Sequence, residues 1–175
     1  MYLVLSASLN PTSRSRLLGK ACHDRLETDG QQVSWFDLAE HSLPLCDGAS
    51  AYADPKVAQL GELLDDADAV FIASPVYNFD VNAALKNAVE LTGKKWTGKV
   101  VAMMLAAGGA PSYMSAMGFA NSLMLDFRCL IIPRFVYATG ESFEGQSLAD
   151  EDIESRMDQL VLETLAVAKA LKDAS

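Results

Sequence analysis

The chain has 175 residues, half of them apolar and 21% charged, enough for one hydrophobic core in a single domain over 1–175. A formal net charge of −9 and a pI near 4.6 oppose docking on nucleic-acid phosphates or on anionic lipid. No apolar run reaches the length of a bilayer span, and the first residues lack the basic start and small-residue cleavage site of a secretory leader, so a cytoplasmic protein is expected.

Strands and helices alternate to the end of the chain, the pattern of an α/β sheet with helices on both faces. Residues 2–7 make an apolar first strand. Residues 13–27 follow as a helix, with Leu17, Leu18, Ala21 and Leu26 at near-helical spacing. Val33 and Trp35 alternate with polar neighbours in a second strand over 32–37. The stretch 39–54 is irregular and long for a connection. Asp54-Pro55 opens the next helix, an Asp cap followed by Pro at the first helical position, and Val57, Leu60, Leu63 and Leu64 form its inner stripe. The run Ala69-Val70-Phe71-Ile72-Ala73 is continuously apolar, as a central parallel strand requires. A helix is expected over 80–91, a strand over 99–105, a break at Gly108-Gly109-Ala110-Pro111, and a helix over 112–126. Pro133 disturbs the fifth strand, 130–137, and assigns it to an edge. The last helix, 148–172, turns Ile153, Met157, Leu160, Val161, Leu165, Val167, Ala168 and Leu171 inward.

The three cysteines, Cys22, Cys46 and Cys129, are odd in number and form no CxxC. That points to buried reduced thiols rather than to a disulfide framework or a zinc site. His23 and His41 have no metal-ligand spacing and are expected at the surface; no metal is expected. Met103, Met104, Met114, Met117 and Met124 suit core filling or a subunit surface.

Two strand-to-helix segments carry the candidate chemistry. The loop Ser6 to Arg16 is rich in hydroxyls and runs into a helix N-terminus, where unpaired amides and the helix dipole favour an anion. It lacks the glycines and Lys of a P-loop, and it is not GxGxxG, which leaves a mononucleotide phosphate as the anion. Plain N-capping by Ser13 explains the same hydroxyls equally well. The second segment is Ser74-Pro75-Val76-Tyr77-Asn78, after the third strand. Its backbone amides suit the polar edge of a planar heterocycle, and Asn78 tolerates a left-handed turn. An ordinary Ser-Pro turn is the simpler alternative. In an open sheet of order 2-1-3-4-5 the first and third strands are neighbours at the switch point, so both segments converge on one site. Ala107, Gly108 and Gly109 follow the fourth strand and would let backbone approach a ring there; a plain tight turn after the strand explains the glycines equally well.

Taken together, these residues resemble the NADPH-dependent FMN reductase family, which includes azo, quinone and chromate reductases. Its first loop, approximately G-S-L-R-x-G-S-x-N-R-x-L, is similar without a gap to Ala7-Ser8-Leu9-Asn10-Pro11-Thr12-Ser13-Arg14-Ser15-Arg16-Leu17-Leu18. Its second loop, P-E-Y-N-x-S-x-P-x-x-L-K-N-A-I-D, is matched by Pro75-Val76-Tyr77-Asn78 and by Leu85-Lys86-Asn87-Ala88-Val89-Glu90. Ala7, Asn10, Ser15 and Val76 depart from the pattern, and Phe79 and Val81 stand where small or hydroxyl residues are usual.

The resemblance implies a flavodoxin-like three-layer sandwich on a five-stranded parallel sheet. It implies that Ser8, Ser13, Ser15 and Arg16 hold the FMN phosphate. Pro75, Val76, Tyr77, Asn78 and Phe79 would hold the ring and ribityl chain, and Ala107, Gly108 and Gly109 would flank the ring. The implied activity passes hydride from NADPH or NADH through flavin N5 to a quinone, azo compound or free flavin, in a homodimer or homotetramer. The flavin carries that chemistry, so no catalytic acid or base is assigned. An FMN-binding electron carrier without nicotinamide turnover is the alternative.

Overall fold

The computed structural model describes residues 1–174. In chain order its elements are β1 (Tyr2–Ser6), α1 (Arg14–Thr28), β2 (Val33–Asp37), α2 (Pro55–Asp66), β3 (Ala69–Tyr77), β4 (Asp80–Val81), α3 (Ala83–Thr92), β5 (Val100–Ala106), α4 (Met117–Phe127), β6 (Leu130–Ile131), β7 (Val136–Ala138), β8 (Phe143–Glu144), β9 (Ser147–Leu148) and α5 (Glu151–Asp173). Parallel pairing runs β2-β1-β3-β5, and both β6 and β7 pair with β5. This is the flavodoxin-like order, with the switch point between β1 and β3.

The three central strands read as unbroken apolar runs because both faces are covered. Leu3, Leu5 and Ala7 alternate with Val4 along the first strand and its exit, and each side meets a separate core. One core joins the sheet to Leu60 and Leu64 of α2, Leu85 and Ala88 of α3, and Phe119 and Leu123 of α4. The other joins it to Leu18, Cys22 and Leu26 of α1 and to Met157 and Leu160 of α5. Asp54 caps α2 through the Lys56 amide, with Pro55 at the first helical position, as the sequence predicts.

Several expectations need correction. The sheet has seven strands rather than five. Part of the excess comes from the edge strand, which splits into β6 and β7 around Pro133. The last ladder bond before the gap runs from the Ile132 amide to the Val101 carbonyl, and Pro133 has no amide to continue it. The rest comes from β4. The third strand does not stop at Ala73 but runs to Tyr77, because Val76 and Tyr77 find antiparallel partners in Val81 and Asp80. Helix α3 therefore begins at Ala83, not Asp80. Helix α4 begins at Met117, after a 3₁₀ turn over Ala110–Ser112 that starts at the Gly-Gly-Ala-Pro break. Helix α5 begins at Glu151, capped by Asp150, behind the small β8–β9 hairpin.

Neither histidine is fully exposed. His41 stacks on Phe36 with ring centroids 4.5 Å apart, and His23 meets Trp35 edge-on. Burial raises the Cys22 thiol and pushes Cys129 up to about 11, so both stay protonated; Cys46 is only half-buried. No helix among the described residues is long and apolar enough to cross a membrane.

Candidate functional site

The β1 and β3 register sets Ser6 against Ala73, and the Ala7 amide donates to the Ala73 carbonyl at 2.9 Å. The two strand exits therefore leave the sheet side by side. A buried side chain then ties them together. Asn82 donates from Nδ2 to the Ala7 carbonyl at 2.6 Å, and its Oδ1 accepts from the Ser74 hydroxyl at 3.2 Å. Asn82 occupies the N-cap position of α3 but makes no side-chain capping bond. Its amide bridges two segments 75 residues apart instead.

In the first segment, Ser13 caps α1 by accepting the Arg16 amide at 3.2 Å, and Ser8 accepts the Asn10 amide at 3.2 Å. Ser13 and Ser15 share a hydrogen bond at 3.2 Å. Ser8, Ser13 and Ser15 are all buried. In the Ser8 and Ser13 bonds the hydroxyl accepts, and a hydroxyl that accepts keeps its O–H free to donate. Capping and anion binding are thus compatible uses of one Ser13. The first turn of α1 carries no acidic side chain.

Arg16 is engaged by acidic side chains of the β2 exit. Its guanidinium sits 3.0 Å from the Asp37 carboxylate, which is fully buried at the end of β2, and it also pairs with Glu40. Asp37 additionally accepts the Ala39 amide at 2.8 Å and so shapes the exit of β2.

The second segment is a hairpin rather than a loop. Asn78 and Phe79 are its two turn residues, with φ of 51° and 64°, the left-handed pair of a type I′ turn. Asn suits its place; Phe does not, because a Cβ at positive φ costs about 1–2 kcal/mol. Phe79 is 57% exposed, so packing offsets little of that strain. Phe79→Gly is expected to raise stability by about 1 kcal/mol, read from the urea midpoint without added ligand. A fall would show that the ring packs better than its exposure implies.

The β5 exit completes the edge. Pro75 pairs with Ala106, and the Ala107 amide donates to the Ala138 carbonyl at 2.9 Å. A side chain added at Gly108 would meet no protein atom within 4 Å. The Gly109 carbonyl accepts from the Tyr137 hydroxyl at 2.5 Å, Tyr137 meets Tyr113 edge-on, and the Tyr113 hydroxyl accepts from Arg156 at 3.2 Å. This brace and Asn82 were not legible as site features. A signal for Asn82 existed, since it stands at the second proline of the quoted loop pattern. Lys86 and Asn87 are structural: Lys86 pairs with Glu90, and Asn87 clamps the long loop through the Pro44 carbonyl and the Cys46 amide.

A sequence model of one family, described as NADPH-dependent FMN reductase, matches residues 2–144. An NADPH azoreductase of Bacillus sp. (strain OY1-2) is 26% identical over 173 residues, spanning 98% of this chain and 94% of that protein. An NADPH:quinone oxidoreductase of Arabidopsis thaliana is 28% identical, spanning 96% of this chain and 91% of the relative. Among solved structures, an oxidoreductase from Corynebacterium diphtheriae superposes with a TM-score of 0.78 at 20% identity, spanning 97% of this chain and 96% of that one; it shares the fold.

Proposed function

The chain belongs to the NADPH-dependent FMN reductase family, and on that premise we propose that it is an FMN-dependent NAD(P)H oxidoreductase whose acceptor is a small quinone, azo compound or free flavin. The residues fit the cofactor. Hydroxyl donors and helix amides with no acid among them suit a phosphate, and the open space over Gly108 admits a flat ring. Ser8, Ser13 and Ser15 hold the phosphate, with Arg16 as a neighbouring cation anchored by Asp37. Pro75, Val76, Tyr77, Asn78 and Phe79 hold the ring and ribityl chain, and Ala107, Gly108 and Gly109 flank the ring. Bound FMN supplies reversible two-electron chemistry between a nicotinamide and the acceptor. The protein's part is to seat, orient and partly dry the ring. Buried Ser74 and Asn82 fix the angle between the two segments, and exposed Tyr77 and Phe79 leave an aromatic rim at the mouth.

One observation supports this reading: Asn82 ties the β1 exit, which leads into the hydroxyl-lined start of α1, to the β3 exit, which leads into the strained Asn78-Phe79 hairpin. The working unit is a cytoplasmic homodimer or homotetramer. Its interface includes α4, where Met117, Met124 and Leu125 are exposed with Met114 just before them. Nucleic acid and membrane insertion have no part in it. The test is oxidation of NADH and NADPH by the purified, FMN-loaded protein with 2-methyl-1,4-naphthoquinone as acceptor. Turnover with either nucleotide is expected. Bound FMN with no turnover from either would assign the chain to electron carriage.

A further inference from the structure

The phosphate of FMN brings a charge of about −1.5 to −2 at pH 7 into a chain whose own net charge is −9. Near the seat, Arg16 faces both Asp37 and Glu40, so that cluster is net negative as long as both carboxylates are ionised. The chain has six arginines, and four of the others are also engaged. Arg25 pairs with Glu154 and Asp158, and Arg134 with Glu163. Arg156 donates to the Phe135 carbonyl, and Arg128 to carbonyls at the end of α4. Among the described residues Arg14 alone of the arginines has no ion pair and no side-chain hydrogen bond. It is the first residue of α1, between Ser13 and Ser15. Its guanidinium lies against Gly140, where an added Cβ would sit 3.1 Å from Nη1, so the absence of a side chain there lets the fork rest flat on the backbone.

On the FMN reading of this seat, we propose that Arg14, rather than Arg16, is the residue whose side chain grips the cofactor phosphate. An uncommitted guanidinium on the residue between Ser13 and Ser15 supplies the countercharge that Arg16 gives to Asp37. Its planar fork matches phosphate oxygens two at a time.

The test compares dissociation constants for FMN and riboflavin, measured by flavin fluorescence at two salt concentrations. Riboflavin shares the ring and ribityl chain and lacks the phosphate. Wild type is expected to bind FMN more tightly than riboflavin, with a gap that narrows with salt. Arg14→Gln is expected to cut the FMN preference about tenfold while leaving riboflavin binding in place. Arg14→Lys restores part of it. An unchanged preference in Arg14→Gln, or an equal loss for both ligands, overturns the assignment. A folded wild type that binds neither flavin strikes the FMN reading itself and the assignment with it, whereas a preference kept in the variant strikes Arg14 alone.

Discussion

Asn82→Ala is expected to destabilise the protein by about 1–3 kcal/mol and to weaken FMN retention beyond what that loss explains. The side chain is buried, and it supplies the side-chain donor to the Ala7 carbonyl, whereas the Ser74 hydroxyl also reaches the Pro75 carbonyl at 2.9 Å. Truncation leaves the Ala7 carbonyl without its side-chain donor, at about 1–3 kcal/mol in a buried setting, while the Ser74 hydroxyl keeps the Pro75 carbonyl as its acceptor. The loss also frees the first loop from the β3 exit, so two halves of the site no longer share a frame. Asn82→Asp is a sharper probe. It keeps the volume and the acceptor toward Ser74 but presents an ionised carboxylate to a carbonyl, and it should be at least as damaging. Urea unfolding of the ligand-free variants gives the first number and FMN titration the second. Stability within about 0.5 kcal/mol of wild type for both variants would show that the bridge contributes nothing net.

Arg16→Ala is expected to cost about 3–5 kcal/mol, because it strands the buried Asp37 carboxylate without its countercharge. Glu40 matters little to this figure, being exposed. The cause is separable by a double-mutant cycle. Asp37→Asn keeps an acceptor for the Ala39 amide and removes the charge, so Arg16→Ala with Asp37→Asn should recover more than half of the single-variant loss. A double variant no more stable than Arg16→Ala would mean that the guanidinium acts through packing instead. Weaker FMN binding in Arg16→Ala therefore reports partly on the fold, whereas Arg14 is exposed and free of such bonds.

Much of the architecture was legible because its determinants are local. Strands β1, β3 and β5 are continuous apolar runs, which only a doubly covered parallel sheet explains, and Asp54-Pro55 marks a helix start by capping chemistry alone. The misreadings share one physical origin, pairing between residues that sequence does not place together. Val76 and Tyr77 read as loop because their partner β4 is two residues long and carries no periodicity. The pairing of Arg16 with Asp37 was not legible, because nothing local shows that Asp37, 21 positions on, ends its strand facing the guanidinium. Asn82 read as part of a helix because its real partner lies in the first loop. The Ser13 cap of α1 was legible because a hydroxyl at a helix N-terminus announces itself by spacing.

The central claim is that three chain segments form a single FMN seat, and amide hydrogen exchange with and without FMN tests it most directly. Added FMN should slow exchange together in residues 8–16, 76–79 and 107–109, with the remaining edge of the sheet unchanged. Protection confined to one of these segments, or none in a folded protein at saturating FMN, would contradict it.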